Sequence, residues 1–119
     1  MRACNAVCKQ CPFMEGSAQG WLGGATVQET LDFMQHEFPF TCHLHRDEDT
    51  NITDTIAGKY PICRGFLLSA SKSHKLFGSH PQTGKELARL QAQVEKETQP
   101  EEWGEVLSRR EFAEYHKPK

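Results

Sequence analysis

The stretch Cys4-Asn5-Ala6-Val7-Cys8-Lys9-Gln10-Cys11-Pro12-Phe13 puts three of the chain's five cysteines into eight residues. A structural metal takes about four thiolate or imidazole ligands, and so short a loop cannot aim four donors at one centre. The remaining donors therefore come from the only other cysteines, Cys42 and Cys63. This decides the fold class, because a metal that joins three distant parts of the chain makes a small domain assembled around a cross-link. The expected architecture is a small, mainly α domain of four to five helices, organised around the cysteine site, with at most one short β-hairpin beside it.

Composition agrees with a cross-linked domain. The chain has 119 residues and 37% hydrophobic content, below the roughly 45–50% usual for globular chains, although that average also counts Gly. A thin core gains from a metal staple. The net charge of −2 and a pI near 6.3 exclude a global basic field for nucleic acid, so any such role needs a local patch. No apolar leader opens the sequence, and no stretch approaches the roughly 18 apolar residues of a membrane span. A soluble, cytoplasmic protein with no membrane partner is expected. Thiols stay reduced there, and an odd cysteine count leaves one unpaired, so metal ligation is favoured over disulfides.

Residues 16–24 carry four glycines around Trp21 and Leu22, which predicts a loop whose two apolar side chains plug the core. Thr26 with Glu29 forms a capping box for a helix reaching about Glu37, ahead of Pro39. Alternation of Phe38, Phe40 and Cys42 predicts an extended segment that delivers Cys42 from one face. The polar run from His43 to Thr55 reads as a surface loop. A second helix starts at Arg64 and extends to about Lys75, with Cys63 at its entrance, where the helix dipole favours a thiolate. Residues 77–84 form a linker, and Glu86–Glu97 an amphipathic helix. Thr98 or Gln99 caps the next helix, with Pro100 in its first turn, and Ser108 with Glu111 marks a further capping box. Residues 1–76 are thus the metal-binding region and 77–119 a helical region packed on it, in a single domain.

The expected ligands are Cys8, Cys11, Cys42 and Cys63. In the Cys8-x2-Cys11 turn two thiolates can share an ion while turn amides bond to the sulfurs. The bland alternative is that Cys42 and Cys63 are small buried hydrophobes. Cys4 is a spare thiol near the site or a replacement ligand. His43 points away from Cys42 if the segment is extended, which leaves it a supporting hydrogen bond rather than a bond to the metal. His43, His45 and Asp47, with Asp49 nearby, make up the residues for an alternative hydrolytic metal centre, though acidic loops are mostly solvated surface. Arg109, Arg110, Lys117 and Lys119 with Tyr115 form the alternative nucleic-acid patch, although such cations also suit a helix C-terminus.

The ordered motifs Cys8-x2-Cys11-Pro12-Phe13, Phe40-x-Cys42-His43 and Cys63-x-Gly65-Phe66 carry a resemblance. Over about its first 70 residues the chain resembles a group of small proteins found largely in bacteriophages and actinobacteria, in which C-x-x-C-P is followed by C-H and C-x-G. The resemblance implies a phage association and puts the cluster or zinc ligands on Cys8, Cys11, Cys42 and Cys63. A more distant likeness is to WhiB-like iron–sulfur transcription factors, which join a C-x-x-C-P turn to a W-G-G turn. Here Gly20-Trp21-Leu22-Gly23-Gly24 precedes Cys42 and carries an inserted Leu. The Cys4-x3-Cys8-x2-Cys11 spacing also matches the cluster loop of radical S-adenosylmethionine enzymes. Those chains are far longer, and that loop would leave Cys42 and Cys63 unexplained.

Four thiolates suit either zinc or iron–sulfur. The dispersed ligands and Pro12 after Cys11 favour a [4Fe–4S] cluster, with one structural Zn2+ as the alternative. No nucleophile–base pair or phosphate-binding loop is present. The expected function is a non-enzymatic regulatory or interaction protein that binds a protein partner through its C-terminal helices. A nucleic-acid-binding regulator with a redox-sensing cluster and the hydrolase are the alternatives.

Overall fold

The computed structural model describes residues 1–7, 10–22 and 25–117. Cys8 and Lys119, named above, lie outside the described residues, as do Gly23 and Gly24. Among the described residues there are six helices: α1 (Val27–Gln35), α2 (Ile52–Ile56), α3 (Arg64–Lys72), α4 (Gly84–Glu97), α5 (Pro100–Glu105) and α6 (Arg109–Tyr115). The mainly α class is as expected, with one helix more than anticipated.

Local chemistry sets the boundaries. The amide of Glu29 donates to Thr26 Oγ1 at 3.1 Å and the Thr26 amide to Glu29 Oε1 at 3.0 Å, which is the expected capping box of α1. The helix stops at Gln35, short of Glu37. Glu37 adopts a left-handed φ of 57°, and the Phe38 amide reaches back to the Phe33 carbonyl at 2.8 Å, a closing turn that usually employs glycine. The same device ends α3 short of Lys75, with His74 at φ 61° and the Lys75 amide on the Ala70 carbonyl at 2.9 Å. The short helix α2 interrupts the run read as a polar loop. Its signal is Asn51-x2-Asp54, for the Asn51 side chain accepts from the Asp54 amide at 2.9 Å. The Ser108–Glu111 box starts α6 as expected and separates it from α5.

The core is aromatic and continuous. Phe13 stacks on Phe112 with centroids 4.7 Å apart and meets Phe40 edge-on at 5.7 Å. Phe66 stacks between Phe40 and Phe77. Every residue of α3 from Arg64 to Ala70 is buried, and α3 packs on α4, whose Leu87, Leu90 and Val94 face inward. One hydrophobic cluster draws on residues from both 1–76 and 77–119. The radius of gyration of 13.0 Å is close to the roughly 13.5 Å expected of one folded domain this long. The Leu107 amide donates to the Phe13 carbonyl at 2.7 Å and the Glu15 amide to the Glu105 carbonyl at 2.8 Å, binding the cysteine loop to the α5–α6 junction. Leu22 enters the core as expected, but Trp21 is 42% exposed. Among the described residues no helix is long and apolar enough to cross a membrane.

Candidate metal centre

The centre is built on Ile62, a residue with no exposed surface. It forms isolated β-bridges on both sides, parallel to Ala3 and antiparallel to Thr41. The amides of Cys4 and Cys42 donate to the carbonyls of Ile62 (3.0 Å) and Pro61 (2.9 Å), and the Cys63 amide donates to the Phe40 carbonyl at 2.8 Å. Each cysteine follows a bridge residue in sequence. Side chains alternate along extended chain, so this register puts Cys4, Cys42 and Cys63 on one common face, opposite the Ile62 side chain. No hairpin is needed, because three separate segments meet at one residue.

A turn brings a fourth donor. The amides of His45 and Arg46 both donate to the Cys42 carbonyl at 3.0 Å, which folds His45 back beside Cys42. The ligating atoms of Cys4, Cys42 and His45 lie within 4.8 Å of one another. The spacing Cys42-x2-His45 equals that of Cys8-x2-Cys11, which is the sequence signal for this ligand. His43, the neighbour weighed earlier, goes elsewhere: its ring stands edge-on to Trp21 at 4.7 Å and its buried Nε2 has no partner. Burial, with Arg46 adding to it, holds the His43 pKa below its usual value.

Cys11 joins from the N-terminal loop, its sulfur 3.5 Å from that of Cys63. Gly65 makes this approach possible, because a Cβ there would collide with Cys11 Sγ and lie 3.1 Å from Phe13 Cβ. The glycine in Cys63-x-Gly65 is thus a packing requirement. Of the expected ligands, Cys11, Cys42 and Cys63 are brought into one neighbourhood, Cys8 lies outside the described residues, and Cys4, read as a spare thiol or a replacement ligand, stands beside Cys42. Asp47 is used in a turn, accepting from the Asp49 amide at 2.9 Å and the Tyr60 hydroxyl at 3.3 Å. Among the described residues, the set of three that converges includes His45 but neither His43 nor Asp47.

The electrostatics are those of crowded thiols. Burial, the hydrogen bond with Cys42 and the nearness of Cys42 and Cys63 push the Cys4 thiol up to about 12, against a counter-pull from the Arg64 amide. The Cys11 thiol and burial push Cys63 well above its usual value. The amides of Phe66 and Gly65 at the start of α3 pull it back only in part. The expected preference for a thiolate at this helix start is therefore outweighed by the neighbouring thiol. Such a group of buried sulfurs ionises when a divalent cation replaces their protons. Arg46 adds a fixed positive charge that interacts with Cys42 and Cys63, its guanidinium 5.1 Å from the centre of the Phe40 ring and its buried Nη2 without a partner. Cys4 also lines a cavity of about 630 Å³ with Asn5, Glu15, Arg64, Glu97 and Glu102, which gives the centre an opening to solvent.

The basic patch is partly committed elsewhere. Arg109 Nη1 donates to Gln35 Oε1 at 3.1 Å, the Tyr115 hydroxyl donates to the Ser17 carbonyl, and Glu111 and Glu114 interleave the cations. Arg110 and Lys117 are exposed. No family model, curated protein or solved structure matches the chain.

Proposed function

We propose that this is a small, non-enzymatic metal-binding protein in which the cysteine centre organises a surface for a protein partner. The observation that carries the reading is the convergence of Cys4, Cys42 and His45 beside the Cys11–Cys63 pair. Sulfurs bound to one tetrahedral zinc are about 3.8 Å apart, given a Zn–S bond of about 2.3 Å. A [4Fe–4S] cluster spreads its cysteines further, since each binds a different iron. The 3.5 Å pair and the compact set of three support zinc-type coordination over the cluster favoured by the dispersed ligands and Pro12. Partner binding is supported by the exposed apolar side chains Trp21, Leu44, Phe33 and Phe38, which come from the segments flanking the centre. The face proposed for the partner is therefore the one beside the centre, with the C-terminal helices as the alternative.

The deciding experiment is elemental analysis of protein purified without oxygen, paired with thermal melts before and after a strong chelator. Bound zinc whose removal lowers the melting temperature supports the reading. A chain that binds neither zinc nor iron removes it, and about four irons with acid-labile sulfide restores the cluster. A partner that is lost with Leu44→Glu but retained with Arg110→Glu supports the face named above over the basic patch.

A further inference from the structure

The donors near Ile62 outnumber the positions on one ion. Four is the usual coordination of zinc, yet the described structure gathers five: Cys4, Cys11, Cys42, Cys63 and His45. They also do not form one set. The ligating atoms of Cys4, Cys42 and His45 fall within 4.8 Å of one another, and the Cys11 and Cys63 sulfurs pair at 3.5 Å. Cys63 nevertheless lies close enough to act on the charge of Cys4. One four-coordinate ion would leave at least one of these five donors unligated, and thiolate sulfur can bridge two soft ions.

We propose that the centre binds two zinc-type divalent ions, one on Cys4, Cys42 and His45 and the other on Cys11 and Cys63, with a thiolate shared between them. This rests on the metal-binding reading above and deepens it. Each ion enters as M2+ and displaces a proton from every thiol it binds, with no change of oxidation state. Arg46, beside Cys42 and Cys63, offsets the excess negative charge of a thiolate-rich pair of ions.

His45 makes the test clean, because it is exposed and its loss removes no core packing. The full chain is loaded with zinc, desalted, and examined by native mass spectrometry and elemental analysis. The expected result is about two zinc ions per chain, falling to about one in His45→Ala. Exchange with cadmium-113 should give two resonances in the wild-type chain, one from a sulfur–nitrogen set and one from sulfur alone. This second measurement needs no variant to fold. One zinc per chain that is unchanged by His45→Ala, or a single cadmium resonance, overturns the two-ion centre and leaves the metal-binding reading standing. A chain that carries no metal overturns both, and an iron–sulfur chromophore replaces the two ions with a cluster.

Discussion

Gly65 has no room for a side chain: a methyl group on it would occupy the space of the Cys11 sulfur and crowd Phe13. Gly65→Ala should therefore push Cys11 away from Cys63 and reduce bound zinc at least tenfold under competition from a chromophoric chelator. An unchanged zinc affinity would mean that Cys11 is not a ligand. Glu37 is the second residue whose environment dictates an outcome. Its buried carboxylate accepts from the amides of Gly78 (2.8 Å), Ser79 (2.9 Å) and His80 (3.2 Å) and faces Lys75 at 3.6 Å. Burial alone would raise its pKa, but those amides and Lys75 outweigh it and hold the group below the usual carboxylate range. Its stabilisation is thus complete above the unfolded value of about 4.3 and is lost as pH falls through the lower folded value. Glu37→Gln should cost about 2–3 kcal/mol at neutral pH, a fall of roughly 10 °C in Tm. The difference from wild type should shrink in melts below about pH 4; a difference independent of pH would show that the ionised form is not what the loop recognises.

At the scale of elements, the end of α6 holds the cysteine loop in place. The His116 ring accepts the Gly20 amide on Nδ1 at 2.9 Å, so Nε2 carries the proton and donates to the Pro12 carbonyl at 2.7 Å. Pro12 follows Cys11 directly. His116→Ala leaves two backbone groups without partners and should cost about 2–3 kcal/mol, with faster zinc loss to a chelator. Ser108→Ala, which removes only the cap of α6, should cost about 1 kcal/mol and leave zinc loss unchanged. Equal rates of zinc loss in the two variants would remove the clamp. The elements themselves were largely legible in the sequence, because capping is local: Thr26 with Glu29 and Ser108 with Glu111 start helices where the sequence predicts. The helix stops were not. Glu37 and His74 end helices in a conformation that glycine normally supplies, and what holds Glu37 there is a loop some 40 residues away. The centre was legible in its cysteine donors but not in its register, since the pairing of Ala3 and Thr41 with Ile62 is a long-range fact. That pairing sets Cys4, weighed as a spare thiol or a replacement ligand, beside Cys42, and the turn after Cys42 brings His45 in.

Across the whole molecule, two kinds of cohesion should separate when the metal is removed. The C-terminal half is held by apolar burial, with Leu87, Leu90, Val94 and Phe112 joined to Phe13 and Phe66 in one core. The segment around the centre has little regular structure of its own: only isolated bridges tie residues 3, 41 and 62 together. Closing loops from residue 4 to 42 and on to 63 costs chain entropy that so few backbone bonds do not offset. On the proposed reading, a bound metal would supply the balance. Hydrogen exchange with and without chelator tests this directly. The amides of Cys4, Cys42 and Cys63, which bond across the bridges, should lose protection by at least tenfold on metal removal. Amides in the middle of α4, such as those of Leu90 and Val94, should keep most of theirs. If Cys42 and Cys63 stay protected without metal, the bridges suffice and the ion is not a staple. If α4 loses protection together with the centre, the apolar core cannot stand alone, and the metal nucleates the entire fold rather than its N-terminal part.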